Sequence, residues 1–277
     1  MTSRQYSCRA PDLTTVYKRI LGQELLINCF FPFAHVTARP VVILLHGGGW
    51  TRETPERLFP HAAYFAERGA VAVCPQYRLI REESGDITDC LQDCFSALAF
   101  VCGNSEKWKL DLQKITAFGD SAGGYLACCL GNGKIASQFT ENLTLPACVV
   151  ALNPITDLTG EWLFALGLQK KEKQTVSQWT MRYELAKALS PLYTISQGDS
   201  ENLLYHGLSD TVVLPQMSKS YADRLTECGV QNELHLLTGL SHGFILYDYI
   251  HENQIVSEVL QKIGAALFQR RLLCTIV

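Results

Sequence analysis

The sequence predicts an α/β fold, a mostly parallel sheet covered by helices on both faces. Two observations predict it. Short apolar runs bounded by Gly, Pro or Asn alternate with longer amphipathic stretches, as in successive strand–helix–strand units. The chain has 277 residues, 47% of them hydrophobic and 18% charged, so it can bury a large core without staples.

The elements follow in order. Residues 16–20 and 24–30 read as an antiparallel hairpin turned at Gly22-Gln23. Six apolar runs read as buried strands: 41–45, 70–74, 115–118, 147–152, 202–205 and 233–237. Amphipathic helices are expected at 56–68, 86–101, 122–130, 215–228 and 252–268. In the second of these, Ile87, Cys90, Leu91, Cys94, Leu98 and Val101 share one face. The regularity fails between Ile155 and Ser190, a stretch too long for a simple loop. It is expected to be a small cap insertion over the carboxyl edge of the sheet. No composition break divides the chain, so residues 1–277 are expected to form one domain.

Charge and cysteine content exclude other classes. Lys and Arg number 24 against 27 Asp and Glu, a net charge of −3 that leaves no footprint for nucleic acid. No apolar run is long enough to cross a membrane, and no secretory leader is recognisable at the N-terminus. The 11 cysteines sit mostly inside apolar runs and lack metal-ligand spacing. Reduced, buried thiols and a cytoplasmic location are the expectation. Asn142-Leu143-Thr144 is a glycosylation sequon with no meaning in that setting. Cys274-Thr275-Ile276-Val277 only faintly matches a prenylation box; a terminal segment packed on the domain is expected instead.

Four places carry chemistry. Gly119-Asp120-Ser121-Ala122-Gly123 lies between an expected strand and an expected helix. Gly-x-Ser-x-Gly in that context is a nucleophile elbow, which lifts Ser121 Oγ clear of the sheet edge. Gly119 and Gly123 are required because strand and helix close on each other there. The competing reading is a helix start merely capped by Asp120 or Ser121. His46-Gly47-Gly48-Gly49-Trp50 follows a strand. Its open amides suit a developing oxyanion, which needs donors at about 3 Å. Gly48 and Gly49 are assigned that role with Ala122; a merely flexible turn is the alternative. His46 is read as structural, and so is Asp120.

The acid is Asp210, in a loop after a late strand, with Asp157 as its rival. The base is His242, which completes the chain order Ser, Asp, His. His61 and His251 lie on expected helices, His235 lies in a strand, and His206 precedes the acid.

With these residues in place, the chain resembles the α/β-hydrolase superfamily. His-Gly-Gly-Gly-Trp and Gly-Asp-Ser-Ala-Gly-Gly look like the hormone-sensitive-lipase-like branch. The N-terminal hairpin, Ser190-Pro191-Leu192 and His206-Gly207-x-x-Asp210-x-x-Val213 look more like the feruloyl/acetyl esterase (BD-FAE-like) branch. The likeness runs from about Tyr17 to Phe268. It implies an eight-stranded sheet, a Ser121–His242–Asp210 triad, and ester hydrolysis through an acyl-enzyme with no cofactor or metal. One departure concerns the first branch, which usually reads Asp-Pro-Leu at its acid; here Thr211-Val212 follow Asp210.

The expected substrate is a small-molecule ester with a short, acetyl-type acyl group. Trp50 beside the oxyanion loop, with Trp162 and Trp179 of the insertion, is expected to line the pocket. The insertion mixes these rings with Lys170, Lys171, Glu172 and Lys173, unlike a lipase lid with a broad apolar face. An arylformamidase-like amidase, a peptidase and a non-catalytic binding protein on the same fold are the alternatives. Oligomeric state is left open.

Overall fold

The architecture below is that of a computed structural model, which describes residues 9–33, 38–80, 85–141, 144–159, 183–246 and 254–274. The strands are β1 (Leu13–Ile20), β2 (Gln23–Phe30), β3 (Arg39–Leu45), β4 (Val71–Pro75), β5 (Leu110–Asp120), β6 (Cys148–Leu152), β7 (Glu201–Gly207) and β8 (Asn232–Leu237). The principal helices are α1 (Phe59–Glu67), α2 (Ile87–Gly103), α3 (Ala122–Leu130), α4 (Gln216–Glu227) and α5 (Gln254–Gln269). The eight strands form one sheet in the order β1-β2-β4-β3-β5-β6-β7-β8. Pairing is antiparallel for β1–β2 and β2–β4, and parallel from β4 to β8. This is the α/β-hydrolase arrangement.

The strand period of two sorts side chains onto two cores. Val41, Ile43 and Leu45 of β3 pack with Leu91 of α2, Tyr125 of α3 and Leu225 of α4 on one face. Val42 and Leu44 pack with Phe65 of α1 and Ile263 of α5 on the other. Both sides of these strands are covered, which is why they read as unbroken apolar runs.

β3 leads to β4 on one side, whereas β5 leads to β6 on the other. The loops after β3 and β5 therefore leave the sheet in opposite directions, opening a crevice at the carboxyl edge. The glycine loop after β3 and Ser121 after β5 both lie there.

The hairpin turns one residue earlier than expected. Ile20 pairs with Gln23, so the turn is Leu21-Gly22, both left-handed at φ 49° and 76°. This is the two-residue turn whose twist matches the strands. No disulfide joins the described cysteines, and most of them are buried. Leu272 and Leu273 of the terminal segment pack into the α1–α5 core. Most of the expected cap (160–182), including Trp162, Trp179 and the Lys170–Lys173 run, lies outside the described residues. So do Asn142, His251 and residues 275–277.

Candidate active site

The elbow is a steric construction. Ser121 has φ 54° and ψ −120°, a conformation costly for a side-chain-bearing residue. Its amide donates to Leu152 O at 2.8 Å, and its carbonyl accepts from the Tyr125 amide at 3.0 Å. A Cβ on Gly119 would stand 2.2 Å from Gly123 O. A Cβ on Gly123 would stand 2.0 Å from Leu45 O, so this glycine lets the helix close on β3 as well as on β5. Ser121 occupies the helix N-cap position, yet its side chain makes no capping bond. Its Oγ lies 2.9 Å from His242 Nε2 instead.

His242 is held by the loops after β7 and β8. The Ser209 amide donates to Leu240 O at 3.0 Å, and a Cβ on Gly207 would come within 2.3 Å of the same oxygen. The two loops are thus in backbone contact, and they carry Asp210 and His242 together. His242 Nδ1 lies 2.7 Å from Asp210 Oδ2. Donation from Nδ1–H to that carboxylate leaves Nε2 free to accept the Ser121 proton.

Asp210 Oδ1 accepts from the amides of Val212 and Val213, at 2.8 and 3.0 Å. Burial alone would raise this carboxyl. Hydrogen bonds from His206 and His242, the charge of His242 and the Val212 amide outweigh burial and hold it well below the usual carboxylate range. It therefore stays ionised beside the imidazole.

Asp120 anchors the glycine loop. It is 3% exposed, and its Oδ1 accepts from the Gly47 amide at 2.9 Å. Burial raises its pKa, offset in part by Arg57 and by that amide. A Cβ on Gly47 would meet Asp120 Oδ2 at 2.6 Å. Gly48 and Gly49 continue the loop at φ 114° and 62°, values that only glycine adopts without strain. Among the described residues, the amides of Gly48, Gly49 and Ala122 have no hydrogen-bond acceptor.

The remaining candidates lie apart from this chemistry. Asp157 accepts from the Thr159 amide and hydroxyl, both at 2.7 Å, and from Tyr193 Oη at 2.9 Å. It ties its own loop together. His46 is buried and stacks on Tyr77 with ring centres 4.4 Å apart; burial lowers its pKa to about 4. His61 donates from Nε2 to Ile245 O at 3.1 Å, away from the triad. His235 stacks on Tyr205.

Trp50 departs from expectation. It is 1% exposed and meets Tyr125 edge-on, with centroids 5.4 Å apart. It packs in the core rather than standing open beside the site. Left-handed backbone at Gly48, Gly49 and Trp50 redirects the chain, and adjacency in sequence does not foretell that. Conversely, a contact of His206 with Asp210, at 3.3 Å, was not anticipated. Its only sequence signal is the His-Gly-x-x-Asp spacing. Among the described residues no cluster of His, Cys, Asp or Glu is placed to hold a metal, and no helix is long and apolar enough to cross a membrane.

Sheet order, elbow and facing loops together define an α/β-hydrolase fold. The chain belongs to the BD-FAE family, whose model matches residues 27–225. That match ends before the His242 loop. It is 25% identical over 232 residues to the isoprenylcysteine alpha-carbonyl methylesterase ICME of Arabidopsis thaliana, covering 78% of this chain and 53% of that protein. It is 25% identical over 270 residues to Lipase 2 of a Moraxella species, covering 83% and 61%. The chain thus spans between half and two thirds of these curated relatives. The propionate-bound esterase Est2 of Thermogutta terrifontis superposes with a TM-score of 0.82 at 26% identity, covering 95% of this chain and 96% of that one. The same esterase has also been solved with butyrate bound, with a TM-score of 0.81, 26% identity, and coverage of 94% and 95%.

Proposed function

We propose that this protein is a serine carboxylesterase acting on short-chain, acetyl-type acyl esters. One observation carries the reading: Ser121 Oγ, His242 and Asp210 stand in hydrogen-bonded line at 2.9 and 2.7 Å. Ser121 Oγ attacks the ester carbonyl while His242 Nε2 takes its proton. Asp210 holds the imidazole in the needed tautomer and stabilises the imidazolium. The amides of Gly48, Gly49 and Ala122 receive the oxyanion, their lack of an acceptor among the described residues being what such a role requires. His242 then returns the proton to the leaving alcohol. Water, activated by the same ring, releases the acid from the acyl-enzyme. The preference for short acyl groups is supported by the propionate and butyrate held by the Thermogutta esterase.

Two measurements test this. Turnover of p-nitrophenyl acetate, butyrate, octanoate and palmitate should fall steeply with chain length, since each ill-fitting methylene costs about 1–3 kcal/mol. An optimum at octanoate or beyond would refute the short-acyl part. Ser121→Ala should fold normally, lose several orders of magnitude in turnover and no longer be labelled by paraoxon. Retained turnover in that variant would refute the mechanism.

A further inference from the structure

His206 is on β7, four residues before Asp210, with its side chain fully buried. Its Nε2 lies 2.8 Å from Val213 O and 3.3 Å from Asp210 Oδ2. A carbonyl oxygen can only accept, so Nε2 carries the ring proton and donates it to Val213 O, with its partial positive charge beside Asp210 Oδ2. Nδ1 lies 2.7 Å from the hydroxyl of Ser218, a buried residue of α4. With the proton on Nε2, Nδ1 accepts from that hydroxyl, and each polar atom of the ring is satisfied.

The consequence falls on Asp210. Its Oδ2 receives an N–H from His242 and lies 3.3 Å from His206 Nε2, while Oδ1 receives two backbone amides. Three hydrogen bonds and the close approach of the His206 ring hold this carboxylate in one orientation. His206 also grips Val213 O, tying the two ends of the acid loop to one ring. A neutral N–H shares the carboxylate's charge without adding a cation. A Lys or Arg in that place would compete with the imidazolium that forms on His242.

We infer that His206, held in its Nε2–H form by Ser218, is a positioning residue that fixes the Asp210 carboxylate and moderates its pull on the His242 proton. This rests on the triad reading above. Among the described residues, the ionisable group in contact with His206 is Asp210, which in turn holds His242; Asp120 acts on His242 from β5.

The test follows kcat and KM for p-nitrophenyl butyrate from about pH 5 to 9 in four proteins: wild type, His206→Leu, His206→Gln and Ser218→Ala. Loss of the His206 N–H leaves more negative charge for His242, which favours the imidazolium. The acid limb of kcat/KM in His206→Leu should therefore move up by about half to one pH unit. Its kcat should fall about 10- to 100-fold with KM little changed, the worth of a hydrogen bond to a charged group. His206→Gln, which keeps an amide N–H, should recover most of both. Ser218→Ala should give a smaller shift in the same direction. An unmoved limb in His206→Leu overturns the inference, even if kcat falls, because a merely structural ring would do only that. Should His206→Leu fail to fold, nitrogen-15 spectra of the wild-type histidine rings decide. A His206 proton on Nδ1, or on both nitrogens at neutral pH, overturns the inference. Ser121→Ala in the same assay separates the two readings. If that variant stays active, the triad itself is wrong; if it is inactive and the limb is unmoved, only the role of His206 fails.

Discussion

Two carboxylates compete on paper for the imidazole, and their surroundings distinguish them. Asp210 faces His242 Nδ1 at 2.7 Å, whereas both oxygens of Asp157 are taken by Thr159 and Tyr193. Asp210→Asn should lower turnover about ten-thousand-fold, because the ring loses its tautomer. Asp157→Asn should cost far less. Steady-state kinetics on a short acyl ester check both, and reversed magnitudes would move the acid to the other loop. Trp50 tests the opposite kind of residue. Its indole is buried against Tyr125, so Trp50→Ala should lose about 3–5 kcal/mol of stability as a core truncation. Urea unfolding measures this; a near-neutral result with an optimum moved to longer acyl chains would restore Trp50 to the pocket wall. Residue by residue, the site was legible where the reason for a residue is local. Gly119, Ser121 and Gly123 follow from the sterics of one turn. The contact of His206 with Asp210 and the inward turn of Trp50 depend on how loops fold back; the first leaves only the His-Gly-x-x-Asp spacing as a trace, and the second leaves none.

At the scale of elements, apolar runs and helical periodicity marked each strand and the principal helices, but not their ends. β5 begins at Leu110, five residues before the apolar run, because its first half is only half-buried and carries no alternation to read. The short helical turns at Ser105–Trp108, Gly133–Ala136 and Pro191–Thr194 span too few residues to show a period. Where a capping residue exists, the boundary is sharp. Asp86 accepts from the Thr88 and Asp89 amides at 2.7 and 3.2 Å, while Asp89 reaches back to the Asp86 amide at 3.2 Å. That reciprocal pair starts α2. Asp86→Ala should lower stability by about 1 kcal/mol without altering turnover. Unfolding midpoints together with kcat check it. An unchanged midpoint would mean that packing of Ile87 and Leu91, not the cap, sets the start of the helix.

At the scale of the whole molecule, two histidines link the fold to pH. His46 follows β3 at the start of the glycine loop, and His61 lies within α1 on one face of the sheet. Both are buried, and desolvation lowers each to about 4 from an ordinary value near 6.5. The folded rings thus stay neutral where the unfolded chain would take up protons. Above about pH 6.5 neither state gains by protonation, so the stability of the fold is intact. Between about 6.5 and 4 the unfolded state binds more protons, and stability falls by about 3 kcal/mol for each ring. Asp120 opposes this loss: its raised pKa makes protonation favourable in the fold as pH falls. Asp210 adds to the loss only below the ordinary range of aspartate, where the unfolded carboxylate is protonated before the folded one. Unfolding free energies from urea titrations should therefore be flat from pH 8 to 7 and decline steeply from about 6 to 4.5. His61→Gln keeps an N–H for Ile245 O, 3.1 Å from His61 Nε2, and removes one titrating ring. Its profile should be shallower than that of the wild type by about one histidine's share. Equal slopes would show that this ring opens to water and charges within the folded state, and that His61 does not set the acid limit.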